Sequence, residues 1–354
     1  MVQVHNVTPP RILVVGPSWV GDMVMAQTLF SELKRRRPDA VIDVLAPQWS
    51  QPLLARMPEV RNALSLPFEH GELRLRDRRT LARTLIGDYD QAIVLPNSFK
   101  SALLPFWAKI PKRTGWRGEM RYGLLNDLRV LDRERYPLMV QRFVALAGER
   151  KEAPPPLETI RPPALQVNTS SADRILRGMG LRQALPVLAL CPGAEFGPSK
   201  KWPEEHFAAV AAHQLEQGWQ VWIFGSPNDR EVAGRIREQV PEKLRWRLHV
   251  LAGETSLEEA VDLMSLAHAV VSNDSGLMHI AAALHRPLVA LYGSTSPGFT
   301  PPLHQDVEIL RLGLDCSPCF ERECPLGHQD CLKKLDPDRV TDALARVAPQ
   351  EWMR

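Results

Sequence analysis

Gly16-Pro17-Ser18-Trp19-Val20-Gly21-Asp22 and Asn273-Asp274-Ser275-Gly276-Leu277-Met278-His279 say more about this chain than any other part of it. Each follows an apolar run of the kind a strand buried on both faces shows, Ile12-Leu13-Val14-Val15 and Ala269-Val270-Val271, and each opens an apolar helical pattern. Open α/β sheets bind ligands at such turns, outside the carboxyl ends of their strands. The first turn offers a lone carboxylate. The second offers small residues and bare backbone N–H groups at a helix start, which suits an anion. About 250 residues separate them, so they are expected in two domains facing one cleft. That arrangement suits group transfer.

The rest of the chain repeats the same alternation. In the first half, Ile12–Val15, Val41–Leu45, Ala63–Leu66 and Ala92–Leu95 read as strands, with helices at Asp22–Arg36, Ser50–Arg56, Leu73–Leu85 and Ser98–Ala108. Prolines at Pro154-Pro155-Pro156 and Pro162-Pro163 interrupt it, so Lys151 to about Leu185 reads as the linker and lead-in to the second domain. Alternation resumes with strands at Val187–Leu190, Gln220–Phe224, His249–Leu251, Val270–Val271 and Leu288–Leu291. Helices are expected at Pro203–Gln217, Asp229–Glu238, Leu257–Ala267, Leu277–Leu284 and Pro337–Val347. The expectation is α/β: two Rossmann-like, doubly wound domains over residues 1–165 and 166–335. The final segment, 336–354, is expected to pack back toward the first domain.

Composition narrows the function. A length of 354 residues favours two domains, and the net charge of +3 is too mild for a phosphate-neutralising nucleic-acid surface. No apolar run reaches the ~18–20 residues of a membrane span. Met1–Pro10 has neither the basic nor the long apolar region of a secretory signal, so the expected location is cytoplasmic.

Several motifs have a bland reading beside a chemical one. The first turn lacks the Gly-x-Gly-x-x-Gly of dinucleotide sites, and Asp22 reads either as a helix N-cap or as a general base toward a hydroxyl. Pro192-Gly193-Ala194-Glu195-Phe196-Gly197-Pro198-Ser199-Lys200-Lys201 is not a Walker A loop. Yet it carries lysine and backbone donors between a strand and a helix, and with Asn273–His279 it can converge on a diphosphate. Near the positive end of a helix, His279 is expected to be neutral. Lys34-Arg35-Arg36-Arg37 reads as dipole complementation at a helix C-terminus. Asp88-Tyr89-Asp90 precedes a strand, at the wrong end of the sheet for a metal clamp, and reads as a turn. Cys316-x2-Cys319-x4-Cys324-x6-Cys331 is either a structural zinc site or a set of reduced packing thiols; nothing in the sequence ties it to chemistry.

With these motifs in register, the chain resembles the bacterial lipopolysaccharide heptosyltransferases of glycosyltransferase family 9 from about Arg11 to Val347. Leu95–Ala102, Arg113–Asp127 and Leu251–Thr255 add to the likeness. The resemblance implies a GT-B fold and metal-independent, inverting transfer from ADP-heptose. The implied acceptor is the first heptose of heptosyl-Kdo-lipid A, reached by peripheral contact with the cytoplasmic face of the inner membrane. By position it implies Asp22 as base and Lys200 as the group that binds the departing diphosphate. Gly193, Glu195, Gly253, Glu254, Thr255, Asn273, Asp274, Ser275, Gly276 and His279 are implied at the donor, and Ser18, Lys100, Arg117 and Arg121 at the acceptor. Neither a cofactor nor a nucleic acid is implied. A heptosyltransferase acting one step earlier, a two-domain sugar-nucleotide-binding protein and a sugar-nucleotide epimerase remain alternatives.

Overall fold

In the computed structural model, residues 9–68, 72–181 and 184–348 are described. Residues 1–8 of the N-terminal extension, 182–183 of the expected linker and 349–354 of the C-terminal segment lie outside them. The chain divides into two compact units, Met1–Pro162 and Pro163–Arg354, three residues before the expected boundary.

The first unit runs β1 (Arg11–Val15), α1 (Val20–Arg36), β2 (Val41–Pro47), α2 (Gln51–Leu54), β3 (Val60–Leu66), α3 (Leu75–Thr84), β4 (Gln91–Val94), α4 (Phe99–Trp107), β5 (Lys112–Trp116), β6 (Asp127–Arg129) and α5 (Met139–Val144). Its sheet has the order β3-β2-β1-β4-β5-β6, with every neighbouring pair parallel. The continuous apolar runs predict burial on both faces, and Ile12, Leu13, Val14, Ala92, Ile93 and Val94 are indeed fully buried.

The second unit runs α6 (Thr169–Met179), β7 (Val187–Cys191), α7 (Glu204–Glu216), β8 (Gln220–Ile223), α8 (Arg230–Gln239), β9 (Leu248–Val250), α9 (Leu257–Met264), β10 (Ala269–Asn273), α10 (Gly276–Ala283), β11 (Leu288–Leu291), β12 (Val307–Leu310), α11 (Asp330–Lys333) and α12 (Pro337–Val347). Its order, β12-β11-β10-β7-β8-β9, is also all parallel. Counted from its own first strand, each sheet therefore reads 3-2-1-4-5-6, the doubly wound order of dinucleotide-binding proteins.

Two expectations are corrected. The stretch read as a linker contains α6, started by the Asn168 side chain accepting from Ser171 N–H at 3.0 Å and stopped by left-handed Gly180. The last helix, α12, does not form a separate segment returning to the first domain. Its apolar face, Val340, Ala343 and Leu344, is buried in the core of the second unit together with Trp202, Phe207 and Leu335. The short or polar strands β5, β6 and β12 lack the apolar runs that mark the others.

Candidate functional site

Strand order reverses between β7 and β10 in the second unit and between β1 and β4 in the first. Connections leaving those strands go to opposite faces, which opens a crevice at their carboxyl ends. Most segments read as chemical from sequence follow these four strands; Gly253–Thr255 follow β9, and Arg117 and Arg121 follow β5.

In the second unit the loop after β7 and the turn after β10 meet. Lys200 Nζ donates to Asp274 Oδ2 at 2.7 Å, and Thr295 Oγ1, from the turn after β11, donates to the same oxygen at 2.5 Å. The Lys200 side chain is 14% exposed and that of Asp274 5%. The ammonium also lies 5.0 Å from the centroid of the Phe196 ring. Behind this pair, Asn273 is a clamp: Nδ2 donates to Pro192 O at 2.7 Å and Oδ1 accepts from Trp202 N–H at 3.1 Å. Asn273 is fully buried, so it fixes the two loops and offers no amide atom to a ligand, contrary to its expected donor contact.

Ser275 and Gly276 open α10, and Ser275 makes no side-chain cap bond. The first N–H groups of any helix have no partner within it, so this end presents positive potential beside Lys200. His279, buried one turn further on, is pushed down to about 4 by burial; Lys200 adds to the effect and Asp274 opposes it. It is neutral at pH 7, as expected, although burial is the dominant cause.

Glycines pave the neighbouring strand ends. A Cβ on Gly193 would sit 2.5 Å from the Asp229 carboxylate, and one on Gly225 would lie 2.7 Å from Asp229 Cβ. Asp229 Oδ2 accepts from Ser226 N–H at 2.9 Å and Ser226 Oγ–H at 2.8 Å, which makes it the buried floor under both. Gly253 has φ +72°, and its carbonyl accepts from Arg230, which also pairs with Glu254 at 2.8 Å. Glu195 is exposed and accepts from Ser226 Oγ–H at 3.3 Å, and Thr255 Oγ1 donates to Leu251 O at 3.4 Å. Sequence reasoning missed Asp229, Thr295 and Phe196. Only Thr295 carried a usable signal, lying just beyond an apolar strand in Gly293-Ser294-Thr295.

In the first unit Asp22 is the third residue of α1 and half-buried. The N-cap is Trp19, so the capping reading of Asp22 is set aside. Ser18 is exposed just before it. Lys100 is the second residue of α4, on the turn after β4, and Arg117 is exposed beyond β5. Arg121 contradicts its expected acceptor role. It is fully buried, and its guanidinium donates to Pro96 O at 2.6 Å, to Asn97 Oδ1 at 3.3 Å and to Trp116 O. Burial lowers it to about 10. It staples the β4–α4 turn to the end of β5, a job of position.

The remaining motifs are structural. Asp90 accepts from Arg11 N–H at 2.8 Å and Tyr89 donates to buried Asp43 of β2 at 2.7 Å, which ties the turn before β4 to β1 and β2. Arg35 and Arg36 pair with Glu32 in the last turn of α1. The four clustered cysteines are unbridged. Backbone donors, Gln329 N–H first, hold the Cys324 thiol down, whereas burial and the other three sulfurs push Cys331 up.

Two doubly wound units of the same strand order give the GT-B fold of many glycosyltransferases, and Lys200 lies in the loop after β7, at the switch point of the second. The chain belongs to glycosyltransferase family 9 (heptosyltransferase), whose profile matches residues 78–329. It is 48% identical over 348 residues to lipopolysaccharide heptosyltransferase 2 of Salmonella typhimurium, covering 96% of this chain and 99% of that protein. It is 51% identical over 307 residues to lipooligosaccharide heptosyltransferase 2 of Haemophilus influenzae, covering 85% and 88%. The solved structure of Escherichia coli ADP-heptose LPS heptosyltransferase II superposes with a TM-score of 0.87 at 46% identity, over 96% of this chain and 99% of that one.

Proposed function

We propose that this protein transfers heptose from ADP-heptose to the first heptose of the lipopolysaccharide inner core, with inversion at the anomeric carbon. Near full-length likeness to proteins named heptosyltransferase 2 supports the substrate class. The chemistry is carried by one observation: Lys200, held on Asp274, lies beside the amino end of α10 at the switch point of the second unit.

The first unit, residues 1–165 in this reading, binds the acceptor, and Asp22 accepts the proton of its hydroxyl. The freed oxygen forms a bond to the anomeric carbon as the bond from that carbon to the phosphate oxygen breaks, and ADP leaves with the electron pair. Charge accumulates on the diphosphate, where the Lys200 ammonium and the N–H groups of Ser275 and Gly276 stabilise it. These groups provide positive charge where many nucleotide-sugar enzymes use a divalent cation. Asp274 and Thr295 aim Lys200, neutral His279 adds no competing charge, and Asp229 supports the glycine floor at Gly193. Gly253, Glu254 and Thr255 meet the adenosine, and Glu195 lies at the donor edge. Ser18, Lys100 and Arg117 face the anionic acceptor, with Arg121 as a positioning residue behind them. Action at the cytoplasmic face of the inner membrane, by peripheral contact, follows from the lipid-linked acceptor.

The test is ADP release from ADP-L-glycero-D-manno-heptose with singly heptosylated Kdo-lipid A against the unheptosylated acceptor. Release with the first alone supports this reading. Release with the bare acceptor assigns the preceding transfer instead, and release with neither overturns the donor assignment.

A further inference from the structure

Residues 311–329 contain no helix or strand and no buried side chain. Connections this long without structure of their own are uncommon in compact domains, and here two large apolar side chains point outward, Phe320 at 49% and Leu326 at 62% exposure. A hydrophobic core therefore does not hold this segment. Its path is nevertheless specific. Ser317 Oγ donates to Gly293 O at 2.6 Å, Phe320 N–H to Ser294 O at 2.7 Å, and Arg322 Nε to Phe196 O at 2.7 Å. Ser199, next to Lys200, gives its hydroxyl to Glu321 O at 2.6 Å, and Gln329 Nε2 donates to Pro198 O at 2.7 Å and Lys201 O at 3.1 Å. The segment straps down both the lysine loop and the turn after β11.

Cys316, Cys319, Cys324 and Cys331, separated by short stretches of chain, all line one cavity of about 20 Å³, enough for a single small ion. The backbone around them turns sharply. Phe320, immediately after Cys319, has φ +60°, and Gly327, three residues after Cys324, has φ +73°. A left-handed conformation is costly for a phenylalanine and persists only where its surroundings enforce it. Gln329 N–H donates to Cys324 Sγ at 3.4 Å. Among the described residues no three Cys, His, Asp or Glu side chains already surround a common ion position. An ion held here would require the thiols to rotate toward the cavity they share.

We propose that these four cysteines bind one thiophilic divalent cation, zinc by ligand type, which pins the strap over the Lys200 loop. Four sulfur donors in a small closed set match the structural sites of zinc rather than the oxygen sets of magnesium or calcium. Binding releases the thiol protons and supplies the fastening that apolar burial does not. The proposal is independent of the identity of the sugar donor and acceptor.

The test uses the full chain, purified without added metal and then incubated with zinc sulfate, and measures metal content by mass spectrometry with thiol reactivity in parallel. The expected result is one zinc per chain and four thiols that react with an aromatic disulfide only after a chelator removes the metal. Buried Cys191 stays silent throughout. Cobalt in place of zinc should give the sulfur charge-transfer and tetrahedral ligand-field absorption of a thiolate site, a readout that requires no variant. Cys331→Ser should lower zinc affinity by at least about tenfold, since losing even an outer-shell partner costs 10–100-fold. Metal-free protein after zinc incubation, with all four thiols reacting at once, would overturn the proposal. So would cobalt absorption without sulfur charge transfer, or full zinc affinity in Cys331→Ser.

Discussion

On the proposed mechanism Asp22 works as a carboxylate, whereas burial keeps His279 neutral. Asp22 is half-buried in the first turn of α1, where the positive end of the helix favours its ionised form. Asp22→Asn keeps shape and removes the carboxylate that the proposed transfer uses as its proton acceptor. Turnover should fall roughly 10²–10⁴-fold with donor affinity unchanged, read from ADP release and donor titration; a fall in donor affinity alone would place Asp22 outside proton transfer. His279 is instead held neutral by burial. Its folded value of about 4 lies below the ordinary 6.5, so between these pH values the unfolded chain binds the extra proton. Stability is thus fully present above about pH 6.5 and falls as pH drops toward 4, by on the order of 3 kcal/mol. His279→Gln should flatten this part of the profile, measured by urea unfolding from pH 7 to 4. The positions of Asp274, Asp22 and Lys200 beyond strand ends were legible because they follow the apolar runs of β10, β1 and β7, by one, seven and nine residues. Arg121 was misread because sequence does not distinguish an arginine facing an anion from one feeding buried carbonyls. Asp229 was invisible as a site residue because its role depends on glycines from other loops.

Elements were legible where one apolar face or one buried run dominated, and obscured where polar positions prevailed. Helix α6 begins Thr169-Ser170-Ser171 and buries only Ala172, Ile175 and Leu176, so the neighbouring prolines outweighed its cap. The strap over the lysine loop was harder still, since it is held by hydrogen bonds to backbone carbonyls that leave no periodic pattern. Gly197 makes its approach possible: a Cβ there would lie 2.4 Å from the Arg322 carbonyl oxygen. Gly197→Ala should push the strap off, cost about 1–3 kcal/mol and slow turnover by loosening Lys200. Gly234, inside α8 with open space around it, is the matched control. Gly234→Ala should stabilise by about 0.4–1 kcal/mol and leave turnover alone. Paired unfolding curves and ADP-release rates check both, and equal effects from the two substitutions would remove the strap from the argument.

The chain builds the same 3-2-1-4-5-6 sheet twice, and each copy places different side chains at its switch point. Sequence alternation made the two halves legible, but not the strand order, because β5, β6 and β12 are short or polar and order depends on pairing. The second unit contains its whole sheet and a core running from Leu188 to Ala348, with Lys200, Asp274, Thr295, His279 and the glycine floor all within it. If donor recognition resides there and proton transfer depends on Asp22, the functions separate by cutting between Pro162 and Pro163. The fragment Pro163–Arg354 is expected to fold, bind ADP with affinity within about tenfold of the full chain and release no ADP from ADP-heptose on adding acceptor. A tenfold change is about 1.4 kcal/mol, the margin allowed for minor contacts from the missing half. Calorimetric titration of the fragment, with Lys200→Gln in the same fragment as control, decides the matter. Loss of binding in a folded fragment would mean that the first unit supplies essential donor contacts, whereas equal binding by Lys200→Gln would remove the lysine from the diphosphate site.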